Sequence, residues 1–159
     1  MRTVSFAILV SLAPILFMSL SACQSSRKPP SIAAPLTAPE AQKKWQASST
    51  KHNGYEMTYK VECLCEVIPV VTVKVDREGR VQTVSAIPQE AAPSKSEAMT
   101  IERLFKIVER NKKGREPASE LRAKFDRFTG APESIFIDPD AAATDDEERI
   151  VVLKFQFAR

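Results

Sequence analysis

The side chains with the clearest capacity for chemistry are two cysteines separated by one residue, Cys63 and Cys65. On a regular strand, residues two apart point to the same side, with Cα atoms about 7 Å apart, the upper limit for a disulfide. A bond between them would need a bulge or a bend, and its small ring would be strained and easier to reduce. Three interpretations stay open: a structural disulfide, two buried thiols or a bond to a partner, and a redox or metal site.

Other chemistry has little support in the sequence. His52 is the only histidine, so a Ser-His or Cys-His catalyst would have to use it, although it lies in a polar connection. A structural zinc site normally has four ligands, and a thioredoxin-like site has Cys-x-x-Cys beside a βαβ unit. A run of acidic residues lacks EF-hand spacing and its central glycine. That run comprises Asp138, Asp140, Asp145, Asp146, Glu147 and Glu148. We therefore predict no catalytic residue, no metal and no cofactor.

Length and charge narrow the class of protein. The 159 residues carry a net charge of only +3. Arg2 lies within the first 22 residues, so the net charge of the rest of the chain is closer to zero. A strongly basic patch is the usual mark of a nucleic-acid binder, and we expect no nucleic-acid partner here. The length suits one domain with a modest core.

The first 22 residues have the pattern of a secretory signal. Arg2 precedes an apolar run that Ser11 and Pro14 interrupt, and small residues follow. A membrane-spanning helix would need about 20 apolar residues. The segment Leu20-Ser21-Ala22-Cys23 resembles the lipobox of bacterial lipoproteins. The resemblance implies that Cys23 is diacylglycerylated on sulfur, becomes the first mature residue and is then N-acylated.

Those acyl chains set the expected location. Two or three chains hold a protein on a membrane almost irreversibly. Gln24 stands where an Asp would, in the enterobacterial pattern, signal retention in the inner membrane. We expect a lipid-anchored protein of the bacterial cell envelope, on the outer membrane and facing the periplasm. Residues 1–22 are then the signal peptide, 23–37 the anchor and a Pro/Ser-rich stalk, and 38–159 a single domain.

Apolar periodicity predicts the strands of that domain. Residues 55–65 alternate over a long stretch, which is typical of a half-buried strand. Shorter strands are expected at 70–75, 81–87, 121–125 and 135–137. The last strand, 150–157, should place Val151, Leu153, Phe155 and Phe157 on the inner face. Turn residues separate the strands at Asp76–Gly79 and at Asp126–Pro132.

Two helices are expected as well. A short one runs from Pro39 to about Ser48, and Trp45 should fix it to the domain. The main helix begins after Thr100 as N-cap, shows an apolar stripe from Ile101 to Val108, and should end at Gly114 in a left-handed conformation. The predicted fold class is α+β, with an antiparallel sheet of about six strands. Along the chain, three strands are followed by the main helix and then by three more strands; the main helix covers the sheet, and a short helix precedes the first strand.

Several short motifs, taken together in order, resemble a bacterial family of secreted and lipoprotein domains of unknown function. They are Trp45, Tyr55-x-x-x-Tyr59, Cys63-Leu64-Cys65, Leu104–Val108, and Phe125-Asp126-x-x-x-Gly130-Ala131-Pro132, followed by Asp138 and Asp145–Glu147. The resemblance covers nearly all of the chain after the stalk. It implies a location and a fold but no activity.

Two hypotheses for function follow. The first is a non-catalytic binding or structural module of the envelope, which holds the membrane through Cys23 and binds an unknown envelope protein or cell-wall component. Its surface would be a sheet face or an exposed strand edge, because edges recruit further strands. The alternative is a thiol redox or metal-responsive envelope protein that uses Cys63 and Cys65.

Overall fold

A computed structural model describes residues 34–63, 67–114, 117–143 and 146–158. The predicted signal peptide, Cys23 and Cys65 lie outside these residues. Two α-helices are present, α1 (Ala38–Ser49) and α2 (Ile101–Lys113), with a short 3-10 turn at Gln89–Ala91. The strands are β1 (Gly54–Glu62), β2 (Val70–Asp76), β3 (Val81–Ile87), β4 (Glu120–Phe125), β5 (Pro132–Asp138) and β6 (Glu148–Phe157).

The six strands form one antiparallel sheet in the spatial order β3-β2-β1-β6-β5-β4. An α+β fold with an antiparallel sheet of six strands and two helices is thus confirmed. The first and last strands pair at the centre of the sheet, so β3 and β4 become its two edges. Hairpin connections explain the outer pairs, whereas the central pair joins residues about a hundred positions apart.

Both helices pack on the same core with one face of the sheet. The core draws on every strand and on the apolar stripe of α2, as alternation and helical spacing predicted. The largest fully buried side chains are Met57, Ile101, Leu104, Ile135, Ile150, Val73 and Pro132. Burying one such side chain contributes about 1.5–3 kcal/mol. Trp45 is also buried, 3% exposed, so its predicted role in fixing α1 is confirmed.

The inner face of β6 differs from the prediction. A register shift between Thr58 and Tyr59 of β1 places Val152 opposite Tyr59 and Lys154 opposite Thr58. An extra residue in one strand moves the following side chains to the other face. Val152 therefore packs on the core in place of Val151, and Leu153 is 49% exposed. The predicted inward positions were wrong for Val151 and Leu153, and Phe155 and Phe157 do pack on the core.

The helix ends confirm one prediction and correct another. Thr100 is the N-cap of α2, and its side-chain oxygen accepts a hydrogen bond from the backbone N–H of Arg103 at 3.2 Å. Gly114 follows α2 with φ −63°, so it is not left-handed as predicted. A Cβ at Gly114 would lie 2.3 Å from the Arg110 carbonyl oxygen. The need for glycine here comes from this close backbone approach rather than from φ.

Candidate binding groove

One face of the sheet carries no helix among the described residues, and we call it the open face. Its side chains are the polar half of each alternating strand, such as Thr58 and Thr72, whose hydroxyl oxygens lie 3.0 Å apart. At the centre of the sheet, Glu56 forms an ion pair with Lys74 at 3.4 Å. A half-solvated antiparallel sheet has this composition, so most of the open face needs no functional explanation.

One row of the open face is different. Cross-strand pairing aligns Glu62 of β1 with Arg149 of β6, Arg149 with Phe136 of β5, and Phe136 with Arg122 of β4. The row therefore places an aromatic ring between two guanidinium groups. The Arg122 guanidinium carbon lies 4.4 Å from the centre of the Phe136 ring, within the range of a cation–π contact.

This row forms the floor of a surface groove of about 590 Å³. Lys124, from the edge strand β4, also lines it. Each of these lining cations already has an anionic neighbour: Arg122 lies 3.0 Å from Glu120, Lys124 lies 2.7 Å from Glu133, and Arg149 lies 3.9 Å from Glu62. These pairs are exposed, and exposed pairs stabilise a fold little. The groove can therefore exchange its internal partners for the charges of a ligand.

Local hydrogen bonds set the protonation of the groove. The ion pair with Glu133 raises the pKa of the Lys124 ammonium, so Lys124 stays charged at neutral pH. A hydrogen bond from Lys60 lowers the pKa of the Glu62 carboxyl group, so Glu62 stays ionised. The groove thus holds the cation of Lys124 and the anion of Glu62 beside the ring of Phe136. Such a surface suits the recognition of a polar, extended ligand.

Cys63 lines the same groove. It follows the last residue of β1 and is half-buried, so it lies just beyond the regular strand. Its sulfur is not a free thiol, and Cys65 lies outside the described residues. The pairing of Cys63 with Cys65 therefore stays a prediction.

The remaining candidates lie elsewhere. His52 stacks on Phe157, with ring centres 3.8 Å apart, at the opposite end of β1 from the cysteine. Part of the acidic run, Glu147 and Glu148, lines the groove, and Asp145 lies outside the described residues. Among the described residues, no three His, Cys, Asp or Glu side chains are grouped as a metal site would require.

The two tyrosines of the Tyr-x-x-x-Tyr motif fix the start of α2. The Tyr55 hydroxyl accepts a hydrogen bond from the Ile101 backbone N–H at 2.9 Å and donates one to Glu102 at 2.9 Å. The Tyr59 hydroxyl accepts one from the Met99 backbone N–H at 3.0 Å. Burial, reinforced by the Glu102 carboxylate, raises the pKa of Tyr55 far above its ordinary value. Both hydroxyls therefore remain protonated. Tyr55 satisfies the first N–H group of α2, and Tyr59 satisfies the N–H of Met99, just before the N-cap Thr100.

Trp45 completes the same polar cluster. Its indole N–H donates to Glu102 at 3.1 Å, and its ring meets Tyr55 edge-on at 5.4 Å between centres. A single carboxylate, Glu102, thus joins α1, β1 and α2. The arrangement places every polar atom of the cluster in a structural bond, so we assign these motif residues to helix docking.

The β4–β5 turn, residues 126–131, serves the same purpose. The Asp126 carboxylate accepts hydrogen bonds from the backbone N–H groups of Phe128 and Thr129 at 3.1 and 2.6 Å. Gly130 has φ +79°, and a Cβ there would lie 2.2 Å from the Ala41 carbonyl oxygen. Only glycine allows α1 to pack this closely against the turn. The Phe-Asp-x-x-x-Gly-x-Pro motif therefore forms the turn against which α1 packs.

The groove residues were not predicted as a site. The sequence shows that Arg122 and Lys124 share a face of β4, since they alternate with apolar residues. It does not show that Phe136 and Arg149 lie beside them, because the register of β4, β5 and β6 sets that neighbourhood. The sequence feature that could have indicated this groove was a pair of cations on one side of a strand, and such a pair is weak evidence for a binding site by itself.

Comparison with known proteins adds a family and no activity. Residues 37–157 match the model of a family of unknown function, DUF6174. The match covers most of the 159-residue chain. No curated protein matches the chain. In the described part of the chain, no helix is long and apolar enough to cross a membrane.

Proposed function

We propose that this chain, which belongs to the DUF6174 family of unknown function, is a lipid-anchored lipoprotein of the bacterial cell envelope and acts as a non-catalytic binding module. The observation that supports a binding role most directly is the groove on the open face, which runs beside the edge strand β4. The anchor is proposed from the lipobox-like segment that ends at Cys23. The outer membrane, facing the periplasm, is the proposed location.

The anchor has a direct test. Cells that express the full chain are grown with a radioactive or alkyne-bearing palmitate, and the protein is immunoprecipitated. We expect label on the wild-type protein and none on Cys23→Ser, which should accumulate as the unprocessed precursor. Because Cys63 and Cys65 remain in that variant, it also shows whether the label depends on Cys23 alone. Equal labelling of both proteins would refute the anchor.

The groove favours an extended segment of an envelope protein as the ligand. Among the described strands, β4 pairs only with β5, so its other edge can accept a further strand. Side chains of an added strand would alternate between the two faces. Acidic residues would meet Arg122 and Lys124, and small apolar residues would meet Leu121 and Ala123, which are half-buried. The proposed ligand is therefore a strand in which acidic and apolar residues alternate.

Site-specific photocrosslinking in cells tests this surface. A benzoylphenylalanine at Lys124 on the β4 edge is compared with one at Thr83 on the opposite edge, β3, where the side chain is also exposed. We expect a discrete crosslinked partner from position 124, lost when Arg122 is changed to Glu, and none from position 83. The same products from both edges, or none from position 124, would refute the groove. A crosslink to glycan instead of protein would identify a cell-wall component and refute the strand-addition model.

The thiol redox alternative stays a prediction from sequence. Trapping with a mass-shifting alkylating agent across a series of redox buffers decides it. Resistance to labelling until strong reduction would indicate a structural bond between Cys63 and Cys65. Labelling at a mild potential, with loss of function in a stable Cys63→Ser/Cys65→Ser variant, would favour a redox role over a purely structural one.

A further inference from the structure

The tip of the β4–β5 turn exposes an aromatic side chain. Phe128 is 80% exposed, and Leu153, at the bulge of β6, is 49% exposed. Both line a second groove of about 400 Å³, distinct from the one beside Cys63, together with Phe155 and Pro132. An exposed apolar residue is unremarkable singly, but a Phe at a turn tip beside a second exposed apolar side chain indicates an interaction surface. We call Phe128, Leu153 and their shared groove the turn patch.

The chain enters the domain beside this patch. Gly130 of the turn lies against the Ala41 carbonyl oxygen and the Trp45 backbone nitrogen. Ala41 is one helical turn after Thr37, whose carbonyl oxygen accepts its N–H at 2.9 Å. The segment that leads back to Cys23 therefore joins the domain within about one or two helical turns of the patch.

Around the turn patch, the carboxylates are held by local hydrogen bonds and ion pairs, whereas the cationic side chains can also contact an external surface. The Lys44 ammonium donates to the Arg127 carbonyl oxygen, which places two cationic residues at the turn, and Lys154 lines the patch itself. The nearby carboxylates are engaged locally: Asp126 by the turn amides, Glu40 by the Thr37 backbone N–H and hydroxyl, and Glu133 by Lys124. An ammonium group has three N–H donors, so Lys44 keeps further donors beyond the one given to Arg127. The charged groups left to meet an external surface are therefore mainly cations.

We propose that the turn patch is a second membrane contact, in which Phe128 and Leu153 enter the interface of an anionic bilayer while Arg127, Lys44 and Lys154 meet lipid phosphates. This inference rests on the proposed anchor at Cys23. Aromatic and aliphatic side chains flanked by cations are the groups that lie at a headgroup boundary, and a second signal adds to acyl anchoring. The contact would hold the domain with its β4–β5 turn toward the membrane and leave the far end of the sheet accessible.

The far end of the sheet supplies the contrast. Ile87 is 77% exposed on β3, so it matches Phe128 in exposure. It pairs with Val70 at the end of β2 that is remote from the β2–β3 turn. The β4–β5 turn and the β2–β3 turn lie at the same end of the sheet. Tyr55, near the start of β1, pairs with Val75 and Phe157 at the ends of β2 and β6, and β5 begins at that end because it runs antiparallel to β6. Ile87 is thus an equally exposed apolar residue away from the chain entry.

The test uses the intact lipidated protein, reconstituted into vesicles of phosphatidylethanolamine and phosphatidylglycerol. Phe128→Trp is compared with Ile87→Trp, and the parent protein gives the background of the buried Trp45. An indole that enters the interface by about 5–10 Å should shift its emission to the blue and lose intensity to lipids brominated in the acyl chain. We expect both changes for Phe128→Trp and neither for Ile87→Trp.

A charge variant sharpens the same test. Arg127→Gln/Lys154→Gln in the Phe128→Trp background should weaken quenching in phosphatidylglycerol vesicles. The matched control, Lys112→Gln/Lys113→Gln at the exposed end of α2, should leave it unchanged. An equal loss of quenching in both variants would show that net charge, rather than the turn patch, governs the contact, and unchanged quenching in both would refute the role of the patch cations.

The outcomes separate the two proposals. Protein that floats with the vesicles while the Phe128→Trp indole stays in water overturns the second contact and leaves the anchor intact. A blue shift that persists without vesicles and depends on protein concentration assigns the patch to another protein surface and also overturns it. Protein that does not float refutes the anchor, and the inference that depends on it falls with it.

Discussion

The two faces of the sheet have opposite characters. On the helix-covered face, Trp45, Tyr55 and Glu102 form a closed set of hydrogen bonds, and Gly130 lets α1 approach the β4–β5 turn. On the open face, the groove around Phe136 is built from exposed ion pairs and one cation–π contact. In the first arrangement, the polar side-chain atoms of these three residues already have hydrogen-bond partners. In the second, the exposed ion pairs can be exchanged for contacts with a ligand.

The difference teaches where to look for function. The family resemblance rests on several short motifs, and most of their residues have a structural role, because they dock α1 and α2 on the sheet. A residue that fixes a helix serves the fold, whereas function depends on a site that the fold carries. In the binding role proposed above, ligand specificity would therefore come from residues outside those motifs, such as Arg122 and Phe136. Substitutions on the helix-covered face should alter stability, and those on the open face should alter binding.

The largest effect is expected from Gly130→Ala. The substitution adds left-handed strain and a Cβ that clashes with the Ala41 backbone, so it should lower the free energy of unfolding by about 3 kcal/mol. Gly79→Ala is the matched control. Gly79 has the same φ of +79° but no atom within 4 Å of the added Cβ, so it should lose only about 1 kcal/mol. Urea unfolding measures both, and equal losses would show that α1 is not held by the turn.

Tyr55→Phe should have the next largest effect. It removes the acceptor of the buried Ile101 N–H and a donor to Glu102, so we expect a loss of about 2 kcal/mol in urea unfolding. Tyr59→Phe removes only the acceptor of the Met99 N–H and should cost about 1 kcal/mol. Should the two variants be equally stable, the polar cluster around Glu102 would add nothing to helix docking.

Alkaline pH should lower the free energy of unfolding through the two tyrosines of the helix-covered face. Burial raises the pKa of both Tyr55 and Tyr59 above the ordinary value of 10.0. Above about pH 10 the unfolded chain loses these protons while the folded chain keeps them, so stability is complete below pH 10 and falls above it. The expected slope is up to about 1.4 kcal/mol per pH unit for each tyrosine. Urea unfolding between pH 9 and about 12 should give a shallower slope for Tyr55→Phe, and an unchanged slope would contradict the buried phenol.

The smallest effect on stability is expected on the open face. Arg122→Gln removes an exposed ion pair and the contact with Phe136, so the free energy of unfolding should fall by less than about 1 kcal/mol. The same variant should weaken the crosslink from position 124. Lys74→Gln, which breaks an exposed pair elsewhere on the open face, is the control and should leave the crosslink intact. A large loss of stability in Arg122→Gln would place this row in the structural group.

Local patterns predicted most of the elements but not their ends. Alternation identified β1, and helical spacing identified the buried stripe of α2 from Ile101 to Val108. β5 is longer than the predicted 135–137, because Pro132 and Asp138 lack the strand propensity that the pattern requires. The inward residues of β6 were misassigned because a bulge leaves no mark in the sequence of one strand.

The sequence by itself determined the α+β class and the turns at Gly79 and Gly130, since these depend on residue type and short spacing. It is also the basis on which the anchor at Cys23 is proposed. Tertiary structure alone decided that β1 and β6 pair at the centre of the sheet, and that Arg122, Phe136 and Arg149 share one row. Such neighbours are set by register across strands distant in sequence, and periodicity within one strand carries no information about register.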